Sequence, residues 1–162
     1  MLLHPIPQPR ILALDVGTRR IGVAVSDELG WTAQPVMTLN LDRRPRPSPR
    51  EILRSIARLG RRYAVGAIVV GDPRHMSGAE SLRAQRVRAF AAELGALTGL
   101  PIHLWDERLT THEAHQILYA AGHARQEHRK VIDQVAATLI LQSFIDHHRS
   151  DSASAPLEPD RD

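Results

Sequence analysis

The chain has 162 residues, room for a single domain that buries about two thirds of its unfolded surface. It has no cysteine, so a disulfide framework and a thiolate zinc site are both excluded. No apolar run approaches the roughly 18 residues of a membrane span, and Met1-Leu-Leu-His-Pro lacks the pattern of a signal peptide, so a soluble cytoplasmic protein is expected.

The net charge of +3 hides an asymmetry. Lys130 is the only lysine, leaving 20 arginines, and residues 1–150 carry 20 bases against 14 acids. Arginine's planar fork suits phosphate oxygens, which favours a polyanionic partner. The alternative is an arginine-rich composition that simply replaces surface lysine.

Residues 1–9 form an N-terminal extension, and a domain over 10–149 follows. Ile11–Val16 is an apolar run interrupted by Asp15, as in a central strand covered on both faces. Gly17-Thr18 turns into a second strand, Ile21–Ser26, and Val36–Leu39 makes a third, with Pro35 marking an edge. Short turns make these three an antiparallel meander.

Arg43-Arg44-Pro45-Arg46-Pro47 is a stiff basic connector. Ser48-Pro49-Arg50-Glu51 then opens a helix through a capping box, with Ile52, Ile56, Leu59 and Tyr63 as its buried stripe. Val65–Val70 is a strand ended by Gly71. Ser77-Gly78-Ala79-Glu80 starts a second helix that buries Val87, Phe90, Ala91 and Leu94 and stops near Gly95 or Gly99. Ile102–Trp105 is the next strand, and Thr110–Glu113 caps a short helix closed by Gly122. A last helix runs from about Val131 to His147, and residues 150–162 read as a disordered acidic tail. A meander followed by strand–helix alternation is the ribonuclease-H-like arrangement: a mixed five-stranded α/β sheet, three strands antiparallel and two parallel, with helices on both faces.

Several acids are awkward for a purely structural role. Asp15 lies at the end of the central strand. Asp106 and Glu107 follow a strand at its C-terminal end, where open sheets gather ligands. Asp133 shares a helical face with Ala136, Ala137, Ile140 and Phe144. Converging carboxylates suit Mg²⁺ or Mn²⁺, and two such ions roughly 3.5–4 Å apart would serve phosphodiester hydrolysis. The bland alternatives are a turn-capping Asp15, an Asp133 that caps the first turn of its own helix, and a salt bridge to Arg108 from whichever of Asp106 and Glu107 is not the ligand.

The basic residues Arg19, Arg20, Arg74 and Arg108 lie on loops beside these acids, while Arg125, Arg129 and Lys130 precede the last helix as a phosphate clamp. Arg50, Arg54, Arg58 and Arg62 form one helical stripe, more often a solvated face than a contact surface. None of the nine histidines has metalloprotease spacing, and His112 and His115 read as surface residues.

The segments "LALDVGTRRIGVAVSD", "AIVVGDPRHMSG", "DERLTTHEA" and "VIDQVAATLILQSF" occur in this order across residues 10–147. In this the chain resembles the YqgF/RuvX-type pre-16S rRNA nucleases, also described as Holliday-junction-resolvase-like. The resemblance implies a metal-dependent endonuclease that matures the 5′ end of precursor 16S rRNA, with Asp15, Glu107 and Asp133 as Mg²⁺ or Mn²⁺ ligands and Asp106 in reserve. Its partners would be RNA, or structured or branched DNA, and a pre-ribosomal particle; its state would be monomer or homodimer, with no membrane. Cleavage of branched DNA in recombination, and a non-catalytic ribosome-assembly factor, are the alternatives. One position departs from the family pattern. Where an apolar residue is usual after the glycine of Gly-x-Pro, this chain has Asp72. The preferred reading of Asp72 is a loop aspartate turned to solvent; the other is an extra acid near the metal site.

Overall fold

A computed structural model describes residues 8–74, 81–110 and 126–153, with 126–131 and 152–153 described by backbone alone. Three strands come first, β1 (Arg10–Val16), β2 (Arg20–Ser26) and β3 (Ala33–Asn40). Then follow α1 (Pro49–Arg62), β4 (Val65–Asp72), α2 (Leu82–Thr98), β5 (Ile102–Asp106), a 3₁₀ turn at Glu107–Leu109, and α3 (Gln126–Ala153). The sheet order is β3-β2-β1-β4-β5. β1 is antiparallel to β2, β2 to β3, and the β1–β4 and β4–β5 pairs are parallel. This is the mixed five-stranded sheet expected from the sequence, with β1 at its centre and Pro35 on the β3 edge.

The two faces differ in side-chain size, and that sets how closely helices approach. Leu12, Leu14, Ile21, Val23, Ile68 and Val70 face α1 and α2 and form the larger core with Ile56, Val87 and Leu94. On the other face Ala13, Ala24 and Val69 meet Ala137, Ile140, Leu141 and Phe144 of α3. The alternation follows from the two-residue period of a strand. Small residues on the second face let α3 lie close to the sheet.

Several boundaries differ from expectation. The capping box of α1 is present as read, with Ser48 Oγ accepting from Glu51 N and Glu51 accepting from Ser48 N. Its buried line, however, is Leu53, Ile56, Ala57 and Gly60, with Ile52, Leu59 and Tyr63 only partly covered. The helix turns its small residues inward, and Gly60 sits against Val65. β4 runs two residues past Val70, to Asp72. Ser81 caps α2 by accepting from Ala84 N at 3.1 Å, and α2 ends at Gly99; Ser77–Glu80 lies outside the described residues, as does the short helix expected before Gly122. α3 begins at Gln126, so Arg129 and Lys130 lie in its first turns and not in a preceding loop, and it continues to Ala153. Arg125 lies outside the described residues, as do His112 and His115.

Candidate active site

Strand alternation directs Asp15 to the face covered by α3, because Ala13, two residues earlier, packs there. Asp15 is therefore held at the C-terminal end of the central strand, with its side chain 19% exposed. Glu107 reaches the same face from the 3₁₀ turn after β5. Gly71 makes room for it: a β-carbon there would lie 2.9 Å from Glu107 Oε1 and 2.8 Å from Ile140 Cδ1. Asp133 comes down from α3. Its backbone carbonyl rests on Gly22 of β2, and a β-carbon at Gly22 would overlap that oxygen. Asp133 is the eighth residue of α3, too deep for a first-turn cap.

Two arginines balance these acids. Arg20 Nε donates to Asp133 Oδ2 at 2.5 Å. Arg83, in the first turn of α2, places Nη2 3.9 Å from both Asp15 Oδ1 and Glu107 Oε1. The compensation is incomplete at Asp15. Burial first, then the Glu107 carboxylate, push its pKa up to about 7; Arg83 opposes them and Asp133 adds a little. A cleft of about 190 Å³ opens here, bounded by Asp15, Arg83, Glu107, Thr110 and Ile140. Arg83 was not among the residues read from the sequence. Its signal was a cation in the first turn of a helix, where the macrodipole disfavours it.

Asp106 and Asp72 face the other way. Asp106 accepts from Arg108 through both oxygens, at 3.0 Å from Nε and 2.7 Å from Nη2, and caps the 3₁₀ turn from Arg108 N. The Arg108 guanidinium holds the Asp106 carboxyl below the usual carboxylate range. Asp72 corrects the sequence reading: it is not a solvent-facing loop residue but fully buried at the end of β4, in register with Asp106. β4 simply extends further than its apolar run, so alternation puts the Asp72 side chain on the α2 side. Its Oδ2 accepts from Arg74 Nε at 2.9 Å and Arg88 Nη2 at 3.2 Å, while Oδ1 has no hydrogen-bond partner among the described residues. Arg74 and Arg108 are thus tied to acids on the face opposite Asp133. Arg19 is largely exposed and points to Asp42, 3.6 Å away. The end of the sheet therefore carries two charge clusters, one on each face, and Asp15, Glu107 and Asp133 share one of them.

The donor chemistry on the α3 face fits a hard divalent cation: three carboxylates, half-buried, with one proton held near neutrality for want of positive charge. Among the described residues no three His, Asp or Glu side chains stand close enough to hold an ion as they are; Arg20 and Arg83 serve as the counter-ions.

The family model described as "RuvX: Holliday junction resolvase" matches residues 9–147. A Moorella thermoacetica protein described as "Putative pre-16S rRNA nuclease" is 50% identical over 137 residues, covering 85% of this chain and 94% of that one. A protein of Pelotomaculum thermopropionicum with the same description is 49% identical, covering 85% and 86%. Among solved structures, T. thermophilus RuvC in complex with a Holliday junction substrate aligns with a TM-score of 0.54 at 14% identity, covering 90% of this chain and 98% of that chain. That likeness shows the fold to be ribonuclease-H-like. With the family match spanning the whole sheet and its helices, and relatives about half identical over most of their length, this chain belongs to the RuvX family.

Proposed function

We propose that the protein is a divalent-metal-dependent endonuclease that hydrolyses phosphodiester bonds in precursor 16S rRNA, at the step that forms the 5′ end. One observation carries the chemistry. Asp15 sits at the end of the central strand facing Glu107, under a helix that brings Asp133, and burial with uncompensated negative charge raises its pKa to about 7. Such a set is poised to exchange protons for a cation.

Asp15, Glu107 and Asp133 would hold Mg²⁺ or Mn²⁺, and ions bound there supply Lewis-acid polarisation of the phosphate and a more acidic water. The residues of this chain do the rest. Asp15 gives up its proton as the site fills. Arg20 and Arg83, no longer needed as internal counter-ions, turn to the non-bridging oxygens of the substrate phosphate. Gly22 and Gly71 keep α3 and Glu107 at their close distances. Arg129 and Lys130, in the first turns of α3, are candidates for the flanking phosphates. Such a reaction is at home in the cytoplasm, on RNA or a pre-ribosomal particle; no helix among the described residues is long and apolar enough to cross a membrane.

The test is incubation with Mn²⁺ or Mg²⁺ and, separately, single-stranded RNA bearing the precursor 5′ sequence, duplex DNA, and a four-way junction. Asp15→Asn and Glu107→Gln run beside it and are expected to lose activity by roughly 100-fold or more. Cleavage that survives both substitutions overturns the mechanism. Preferential cutting of the junction moves the substrate to branched DNA, in line with the description of the family as Holliday junction resolvases. Binding without cleavage under any condition leaves a nucleic-acid-binding assembly factor.

A further inference from the structure

Behind the Asp15 turn, on the face away from α3, lies a second cavity, of about 570 Å³. Its walls are apolar: Val16 and Ile21 of the sheet, Ile52 and Leu53 of α1, and Val87 and Phe90 of α2. Its rim is not. Arg46, Arg83, Arg86 and one acid, Glu93, border it, and Leu82 at the mouth is 63% exposed. Arg83 lines this cavity and the carboxylate cleft alike, so one guanidinium stands between the two. The Gly17-Thr18 turn that follows Asp15 forms part of the same wall.

We propose that this cavity is a nucleobase subsite, taking one unstacked base of a single-stranded substrate whose neighbouring phosphate lies at Asp15, Glu107 and Asp133. The inference rests on the nuclease reading and adds to it the class of substrate: a strand with at least one base free to leave its stack. Size agrees, since small-molecule pockets run from roughly 300 to 1,000 Å³. Chemistry agrees as well. A flat, largely apolar base suits walls of aliphatic and aromatic side chains, and Phe90 offers a ring for stacking. The three rim arginines complement the phosphates that enter and leave with it. Position completes the match, because the cavity and the acid cleft lie on opposite sides of the same strand end. A purely protein ligand with an apolar side chain would satisfy the walls but make no use of a lining in which three arginines outnumber the one acid, Glu93.

The full-length protein, labelled at Ile, Leu and Val methyls, is titrated with adenosine 5′-monophosphate and, separately, with ribose 5-phosphate, which has the phosphate but no base. Shifts at Val87, Ile52 and Leu53 with the nucleotide, and binding of the sugar phosphate weaker by roughly ten-fold or more, are expected. Val87→Phe, which fills the cavity, should abolish the nucleotide shifts with its melting temperature near that of the parent. Should Val87→Phe fail to fold, Arg86→Ala at the exposed rim is read instead, and weakening of nucleotide binding by roughly five-fold is expected. Equal binding of the two ligands, or nucleotide shifts that persist in the folded Val87→Phe variant and are unaltered in Arg86→Ala, overturns the subsite. Asp15→Asn separates this from the nuclease reading. It should end cleavage and keep the base-dependent shifts at Val87, Ile52 and Leu53, whatever it does to the phosphate's share of the affinity. Nucleotide binding in a protein that never cleaves sinks the nuclease and leaves the pocket; cleavage with no base-dependent binding sinks the pocket and leaves the nuclease.

Discussion

Asp15 keeps its proton to about pH 7 because water is largely excluded from it and Glu107 faces it. The consequence for stability has a definite sign. The folded-state pKa lies above the ordinary value of 3.8, so the folded protein binds more protons than the unfolded chain between these limits. Asp15 thus favours the fold fully below about pH 4, and that contribution, on the order of 2–4 kcal/mol, is lost as pH rises through 7. Asp15→Asn cannot ionise. In chelator-treated buffer it should melt roughly 5–10 °C above the parent at pH 8 and show no such gain at pH 4. Equal shifts at both pH values would place the effect in packing. Arg83→Ala removes a nearby charge that lowers the Asp15 pKa, so the Asp15 carboxyl, followed by ¹³C NMR, should titrate at higher pH than in the parent. Asp72 is a contrasting case: a fully buried carboxylate with two arginines on one oxygen. Asp72→Ala removes the acid that Arg74 and Arg88 share and leaves a buried void, and should destabilise by roughly 2–4 kcal/mol in chemical denaturation, whereas Asp72→Leu, which replaces charge by apolar volume, should cost less.

At the scale of elements, what could be read from sequence was whatever local rules determine. The strands were legible because their apolar runs are bounded by Gly-Thr, Leu-Gly and Pro signals. The start of α1 was legible because Ser48, Pro49 and Glu51 satisfy three capping preferences at once. Ser48→Ala should cost about 1 kcal/mol in a denaturant titration. Ala64 follows α1 with φ of 51°, a left-handed conformation that costs an alanine about 1–2 kcal/mol. Ala64→Gly relieves this and pays back part in chain entropy, so a net gain of roughly 0.5–1 kcal/mol is expected from the same measurement. The start of α3 was hidden because Gln126–Lys130 has no apolar periodicity to mark it. Among the acids, Asp15 and Asp133 stood out as charges among apolar neighbours and Asp106 and Glu107 as acids after a strand end, with Glu107 set before Asp106 only by the family resemblance. The burial of Asp72 was not, since its compensation depends on Arg88, sixteen residues away on another element. Arg83 was missed for a related reason: a helix begun at Ser77 would leave it in an interior turn, not beside the end of the central strand.

For the molecule as a whole, charge and layering set how it meets a long polyanion. Residues 1–150 carry net +6, and Arg50, Arg54, Arg58 and Arg62 are all exposed on α1. A single-stranded RNA that contacts about four phosphates should bind roughly 50-fold more weakly at 200 mM than at 50 mM salt. The double variant Arg54→Glu, Arg58→Glu tests whether the α1 stripe takes part: a slope in filter binding that matches the parent assigns the salt dependence to the arginines around the acid cleft. The layering has its own meaning. Asp15 and Glu107 belong to the sheet side, whereas Asp133 arrives with α3, which also supplies one entire wall of core. The seat of that helix is Gly22, where the Asp133 carbonyl touches the strand. A nascent chain emerging from the ribosome therefore displays two of its acids long before the third. On the proposed mechanism the carboxylate set closes only once the last helix has settled on Gly22, so a chain that has not yet released that helix lacks the third acid.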